Sequence, residues 1–290
     1  MGYILHIVIM LNIYIMLVLS ANLPIGMARL LTMCQAAFYG IGAYISAFFL
    51  MQYDLPFIVV ALAVMILTGA FSWLVSFASV KLKNDYFILA TLGFQMIVYT
   101  VLYNWTDVTR GPYGIPGIPG VKIFGLWELS GVWSYAVITL ITMLTVVWVF
   151  RLIKNSPYGR LLKAMRSDEQ SVQALGRNTV AARSWAFFLS AAISGLAGLF
   201  YASYVSYIDP TSFTLDESIF IISALFIGGT GNIKGPVVGA LFVVLLPELL
   251  RFVGLPDAIA ANMRQIIYGL SLILIMYFRP QGLVGEKSVA

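Results

Sequence analysis

A thiol, an imidazole or a carboxylate does chemistry when a partner group stands at the right spacing, and this chain holds few such groups. It has 12 Asp and Glu, one histidine, His6, and one cysteine, Cys34. One thiol cannot close a disulfide within the chain, and one His with one Cys makes no metal-ligand set, so redox and metal chemistry are not expected. No paired carboxylates and no Ser/His/Asp arrangement support catalysis, and no catalytic residue is assigned. The glycine-rich stretch at 228–236 departs from a phosphate loop at its lysine. Lys234 follows Ile233 and precedes Gly235, whereas the loop needs Gly-Lys and then Ser or Thr. The chain is therefore not expected to hydrolyse ATP itself, and no cofactor is expected on it. The remaining charges read as structural. Asp85, after Lys81 and Lys83, opens a helix where a carboxylate meets the helix dipole, and Glu248 and Arg251 stand three apart as a helical pair. A proton relay needs a carboxylate near mid-membrane, and none is placed there.

The elements that carry these residues are apolar. Of 290 residues, 61% are hydrophobic and 10% charged, with a mean hydropathy of +0.93. Soluble domains carry roughly 25% charge, and no soluble fold could hide this much apolar surface. Apolar runs lie at 3–25, 35–53, 57–80, 86–103, 133–153, 184–207, 218–230, 236–253 and 263–278. They predict an all-α polytopic membrane protein of about nine transmembrane helices, within a range of eight to ten, in a single domain over 1–290. The run at 218–230 is short and ends in glycines, which predicts a broken helix near 218–235. Such a break at membrane depth needs protein or a water-filled cavity to satisfy its backbone. Residues 1–25 lack the basic start of a signal peptide and exceed its usual apolar length, so they read as a retained span.

Charge orients the spans. With the loop 154–183 in the cytoplasm, thirteen of the 17 Lys and Arg fall inside, Arg29 and Lys234 among them. Arg110, Lys122, Arg251 and Arg264 fall outside or near the outer ends, as do Asp54, Asp107, Glu128, Asp209, Asp216, Glu217 and Asp257. The external loop covers 104–132. The net charge of +5 is then an orientation signal and not a nucleic-acid patch, and membrane lipid is the expected surrounding.

The loop 154–183 is itself helical in pattern. Ser156 and Pro157 fit an N-cap and first helical position, and Gly176 fits a helix stop. Two readings are open on these residues: a docking element for another protein, or a surface helix resting on lipid headgroups. Gly40 with Gly42, and Gly195 with Gly198, have spacings that bring helix backbones close.

The loop resembles the segment that permease subunits of branched-chain amino acid ABC importers present to their ATPase. The match runs through Ser156, Pro157, Gly159, Arg160, Ala164, Arg166, Glu169, Ala174, Leu175 and Gly176. KLKNDYFILATLGF at 81–94, TRGPYGIPGIPG at 109–120, AAFYGIGAY at 36–44, SAAISGLAG at 190–198 with Pro210 beyond it, IGGTGNIKGPVVGA at 227–240 and FRPQGL at 278–283 are similar to other family segments. Together they cover nearly the whole chain in order. The chain departs from the family at Gln35, where a histidine is usual, at Arg29, where a small residue is usual, and at Ser171 and Val172, where alanines are common.

The resemblance implies a multi-pass inner-membrane permease that moves branched-chain or related amino acids and is not an enzyme. It implies a second permease subunit, two cytoplasmic ATPase subunits that use the ATP, and an external solute-binding protein. Arg160, Arg166, Asp168, Glu169, Ala174 and Gly176 are the expected ATPase-coupling residues. Thr32, Gln35, Gly93, Gly228, Gly229 and Gly231 are the expected translocation path. The competing readings are an ion- or proton-coupled secondary transporter and a membrane scaffold or enzyme.

Overall fold

Each of the nine apolar runs is a helix. The computed structural model describes residues 2–53, 55–82, 85–120, 122–123, 127–128, 131–252, 257–279 and 281–284, the side chains of 78–81, 122–123, 127–128, 250–252, 257–262, 264, 265 and 276 excepted. Helix α1 (Gly2–Ala21) runs directly into a π-helical turn, Asn22–Met27. It is followed by α2 (Gln35–Gln52), α3 (Phe57–Lys81), α4 (Asp85–Asn104), a short α5 (Thr106–Thr109) and α6 (Val132–Asn155). The loop 154–183 folds as two helices, α7 (Pro157–Ser167) and α8 (Glu169–Ala174). Then come α9 (Thr179–Val205), α10 (Leu215–Gly228), α11 (Lys234–Phe252) and α12 (Asp257–Phe278).

Among the described residues, five helices are long and apolar enough to cross a membrane: Gly2–Met27, Phe57–Phe77, Asp85–Asn104, Val132–Asn155 and Thr179–Val205. Helix α10 is short, as its sequence predicts. Its 14 residues reach about 21 Å at 1.5 Å per residue, against a hydrocarbon layer of about 30 Å.

Burial ranks the helices from centre to lipid. In its most apolar window α9 is 83% buried, whereas α4 and α6 are each 22% buried. Helix α9 is thus the post against which α1, α2 and α3 pack, and α4 and α6 turn apolar side chains such as Ile97 and Trp148 outward. The small-residue spacing does what it predicts. A methyl group on Gly42 would overlap the Gly195 Cα and stand 2.6 Å from its carbonyl oxygen, and one on Gly198 would stand 2.6 Å from the Ala43 amide. In lipid there is little hydrophobic drive between helices, so this close backbone contact supplies the dispersion that joins them.

The external loop carries the few extended residues. Ile115–Pro116 pairs antiparallel with Tyr207–Ile208, tying the loop to the outer end of α9, and Lys122–Ile123 pairs with Trp127–Glu128. At the end of α11 Glu248 accepts a hydrogen bond from the Tyr3 hydroxyl; its expected partner Arg251 has its side chain outside the described residues.

Candidate coupling and translocation site

The cytoplasmic helix pair is built by local capping. Ser156 Oγ accepts the Gly159 amide at 3.1 Å with Pro157 in the first turn, so α7 starts where its sequence predicts. The Tyr158 hydroxyl donates to the Ala182 carbonyl at 2.8 Å, and burial raises its pKa. Asp168 then ends α7 and caps α8, accepting the amides of Gln170 at 2.9 Å and Ser171 at 3.3 Å. The Ser171 hydroxyl also donates to it, and these bonds hold its carboxyl below the usual range. Glu169 pairs with Arg183 at the start of α9. Gly176 ends the pair at φ +76°, where an L side chain is strained, with open space where a Cβ would stand. Arg160, Ala174 and Gly176 are exposed, and Leu175 presents 81% of its surface. That is an apolar tip on a loop outside lipid.

Arg166 turns the other way. Its guanidinium Nη1 donates to the Gly26 carbonyl at 2.8 Å, in the π-helical end of α1, and stands 2.8 Å from where a Cβ on Gly231 would be. Asn22, in the same turn, donates from Nδ2 to the Asn232 carbonyl at 2.7 Å and accepts the Gly231 amide on Oδ1 at 2.9 Å. The break after α10 is thereby held by side chains. Gly229 and Gly231 have φ of +111° and +85°, which glycine alone adopts readily. Asn232 Oδ1 caps α11 by accepting the Gly235 amide at 2.6 Å. The amides of Leu283 and Val284 donate to the carbonyls of Ile227 and Gly228 at 2.9 and 3.0 Å, so the FRPQGL tail satisfies the last turn of α10. This is how a helix break survives at membrane depth.

Residues 28–34 connect this cluster to the start of α2, in a turn closed by the Leu30 amide on the Pro24 carbonyl at 2.9 Å. Arg29 holds φ +56° there, a conformation that non-glycine residues rarely adopt. Thr32 is sealed and bonded to Cys34 Sγ at 3.0 Å. Gln35, 1% exposed, donates from Nε2 to Ser20 at 2.7 Å, Ser190 at 3.0 Å and Ser194 at 3.3 Å. Its Oε1 is buried without a partner, which costs about 1–3 kcal/mol unless something polar fills the place. Gly93 packs against nothing within 4 Å of a would-be Cβ. Five of the six expected path residues thus fall in two groups, Gly93 in neither. Thr32 and Gln35 stand at the start of α2, while Gly228, Gly229 and Gly231 form the α10 break, Gly231 beside Asn22 and Gly26.

Gln95 joins the first group and escaped the sequence reading. Its Oε1 accepts the Ala37 amide at 2.7 Å and the Ser218 hydroxyl at 3.2 Å, and its Nε2 donates to the Phe213 carbonyl at 2.9 Å. Ser218 Oγ accepts the Ala36 amide at 2.8 Å. The first turn of α2 is therefore capped by α4 and α10 across the bundle. The available signal was a lone glutamine inside the apolar run 86–103.

The fold is a polytopic helical bundle whose capped helix pair is hydrogen-bonded to the end of α1 beside the α10 break, as a membrane subunit of a transporter requires. The chain belongs to the branched-chain amino acid transport permease family: residues 3–276 match the family described as "Branched-chain amino acid transport system / permease component". It is 32% identical over 295 residues to the high-affinity branched-chain amino acid transport system permease protein LivM of Escherichia coli, covering 94% of this chain and 68% of that protein. The probable LivM of Methanocaldococcus jannaschii is 31% identical over 220 residues, covering 73% of this chain and 63% of that one. The autoinducer 2 import system permease protein LsrC of Escherichia coli is 28% identical over 269 residues, covering 91% and 72%. No solved structure matches the chain. The protein is a multi-pass inner-membrane permease of the ABC importer type and not an enzyme, and its work implies an ATPase and a binding protein in general.

Proposed function

We propose that this chain translocates branched-chain or related amino acids as one of two permease subunits, homologous or identical, with two cytoplasmic ATPases and an external solute-binding protein. ATP is spent on the ATPases, and no cofactor is held here. The observation that carries the reading is the Arg166 bond to Gly26, because it joins the helix pair to the π-helical end of α1, whose Asn22 in turn holds the α10 break. The tip formed by Glu169, Ala174, Leu175 and Gly176 is the ATPase contact. Its displacement pulls Arg166, hence the Asn22 to Asn232 cluster, hence residues 28–34 and Gln35. Rigid α7 and α9 make this a two-position lever and not a soft spring.

The test is uptake of L-leucine into proteoliposomes holding the full complex. ATP inside and loaded binding protein outside support uptake that an uncoupler leaves intact; uptake that collapses with the uncoupler and ignores ATP overturns the reading in favour of a secondary transporter. Within that assay Gly176→Pro abolishes coupling, since proline fixes φ near −65° where +76° is needed. Normal leucine uptake per ATP in this variant would remove the tip from the ATPase contact. Gln35→Ala changes the leucine transport rate or the range of solutes accepted, and an unaltered profile would take Gln35 out of the path.

A further inference from the structure

Glu217 stands where its sequence position does not put it. Read as an outer-loop carboxylate, it instead accepts a hydrogen bond from the Tyr14 hydroxyl at 2.8 Å on Oε1. Tyr14 is midway along the span Gly2–Met27, so about 18 Å of helix separates it from either end. A second helix gives the same depth: the neighbouring Ser218 bonds Gln95, which lies midway along Asp85–Asn104. The short α10 begins deep in the bundle, and that brings its first-turn acid inside.

The surroundings of this carboxylate are specific. No Lys or Arg is among its bonded partners in the described residues, and Tyr14 is the one group that bonds it. The side chain is half-buried, and Oε2 is not among the sealed polar atoms. Around it stand aromatic rings. Phe220 meets Tyr14 edge-on at 5.7 Å, and Tyr39 and Tyr201 stand 5.5 Å apart on α2 and α9. A carboxylate at this depth without a cationic partner is costly and marks a pathway for a cation or a proton. One open carboxylate oxygen at this depth, with its neighbour held by a tyrosine hydroxyl, is a site for an ammonium group bound by a charge-assisted hydrogen bond.

We propose that Glu217, steadied by Tyr14, receives the α-ammonium group of the amino acid in transit. The assignment rests on the amino acid reading above and adds the group that recognises the amine. Gln35, with its unpartnered Oε1, is a different contact on α2.

Glu217→Gln separates this role from a structural one, since the amide oxygen still accepts the Tyr14 hydroxyl but carries no charge. In the leucine assay with the full complex, Glu217→Gln lowers uptake roughly 10-fold or more, the worth of one charge-assisted hydrogen bond. Its melting temperature in detergent and the amount of assembled complex stay near wild type. Glu217→Asp, which keeps the charge, restores part of the uptake. Wild-type uptake by Glu217→Gln overturns the assignment and leaves the transport reading standing. Failure of the unmutated complex to move leucine, with uptake of an uncharged solute instead, overturns both.

Discussion

Arg166→Ala leaves an importer that hydrolyses ATP and moves almost no solute. The guanidinium bonds the Gly26 carbonyl at 2.8 Å and fills the space beside Gly231, so truncation cuts the link between α7 and the α10 break without touching the exposed tip. A hydrogen bond from a charged donor is worth about 1.5–3 kcal/mol, which over a two-position equilibrium is roughly a 10- to 100-fold shift. Leucine moved per ATP hydrolysed falls by that factor, while ATPase subunits still co-purify with the complex. Asn22→Ala acts on the same cluster from the other side, and the double variant is no worse than the poorer single one, because both side chains serve one linkage. Additive losses, or an unchanged ratio of solute to ATP, would refute a shared lever. Arg166→Lys is a partial replacement, since an ammonium keeps the charge and loses the planar fork.

Gly42→Val removes the folded protein from the membrane. The branched side chain would need the space already held by Gly195 Cα and its carbonyl oxygen, both of them backbone in α9, the most buried span. Overpacking of a core costs about 1–3 kcal/mol where side chains can yield, and here neither helix has a side chain to move. The expected result is a sharp drop in membrane-inserted protein and a lower melting temperature for what remains. Gly93→Ala is the contrast. It meets nothing within 4 Å and replaces a helix-interior glycine, which makes it neutral or stabilising by up to about 1 kcal/mol. Any loss of uptake in Gly93→Ala at undiminished stability would then report on the path itself. Equal stability of the Gly42 and Gly93 variants would contradict the packing described for α2 and α9.

The helices were legible because lipid imposes one rule on every span. Backbone polar groups must be satisfied within the segment, so an apolar run of sufficient length is a helix wherever it occurs, and all nine runs are. The caps of the cytoplasmic pair were legible for a similar reason: Ser156, Pro157 and Gly176 act on groups within a few residues of themselves. The glycine spacings marked close backbone contacts in the same way, although only the packing shows that Gly42 meets Gly195 and so joins α2 to α9. What was not legible depends on depth and on distance along the chain. Glu217 follows Asp209 and Asp216 and reads as part of an outer loop, and only the late start of α10 inside the bundle sets it against Tyr14. Gln95 is one polar residue in an apolar run until α2 begins beside it and α10 brings Ser218 to it.

Taken alone, then, the residues of this chain determined that it lives in lipid, where its apolar helices lie, how its basic helix pair is capped, and through its motifs which permease family it joins. These follow from local physics: hydropathy, and capping within a turn. Only the tertiary structure decided that Arg166 bonds the π-helical end of α1, that Gln35 sits among three serines with one oxygen unpartnered, and that a carboxylate stands beside a tyrosine halfway along a span. Each of those joins residues far apart in sequence. Their pairing is set by how α1, α2, α9 and α10 pack, and no local pattern encodes it.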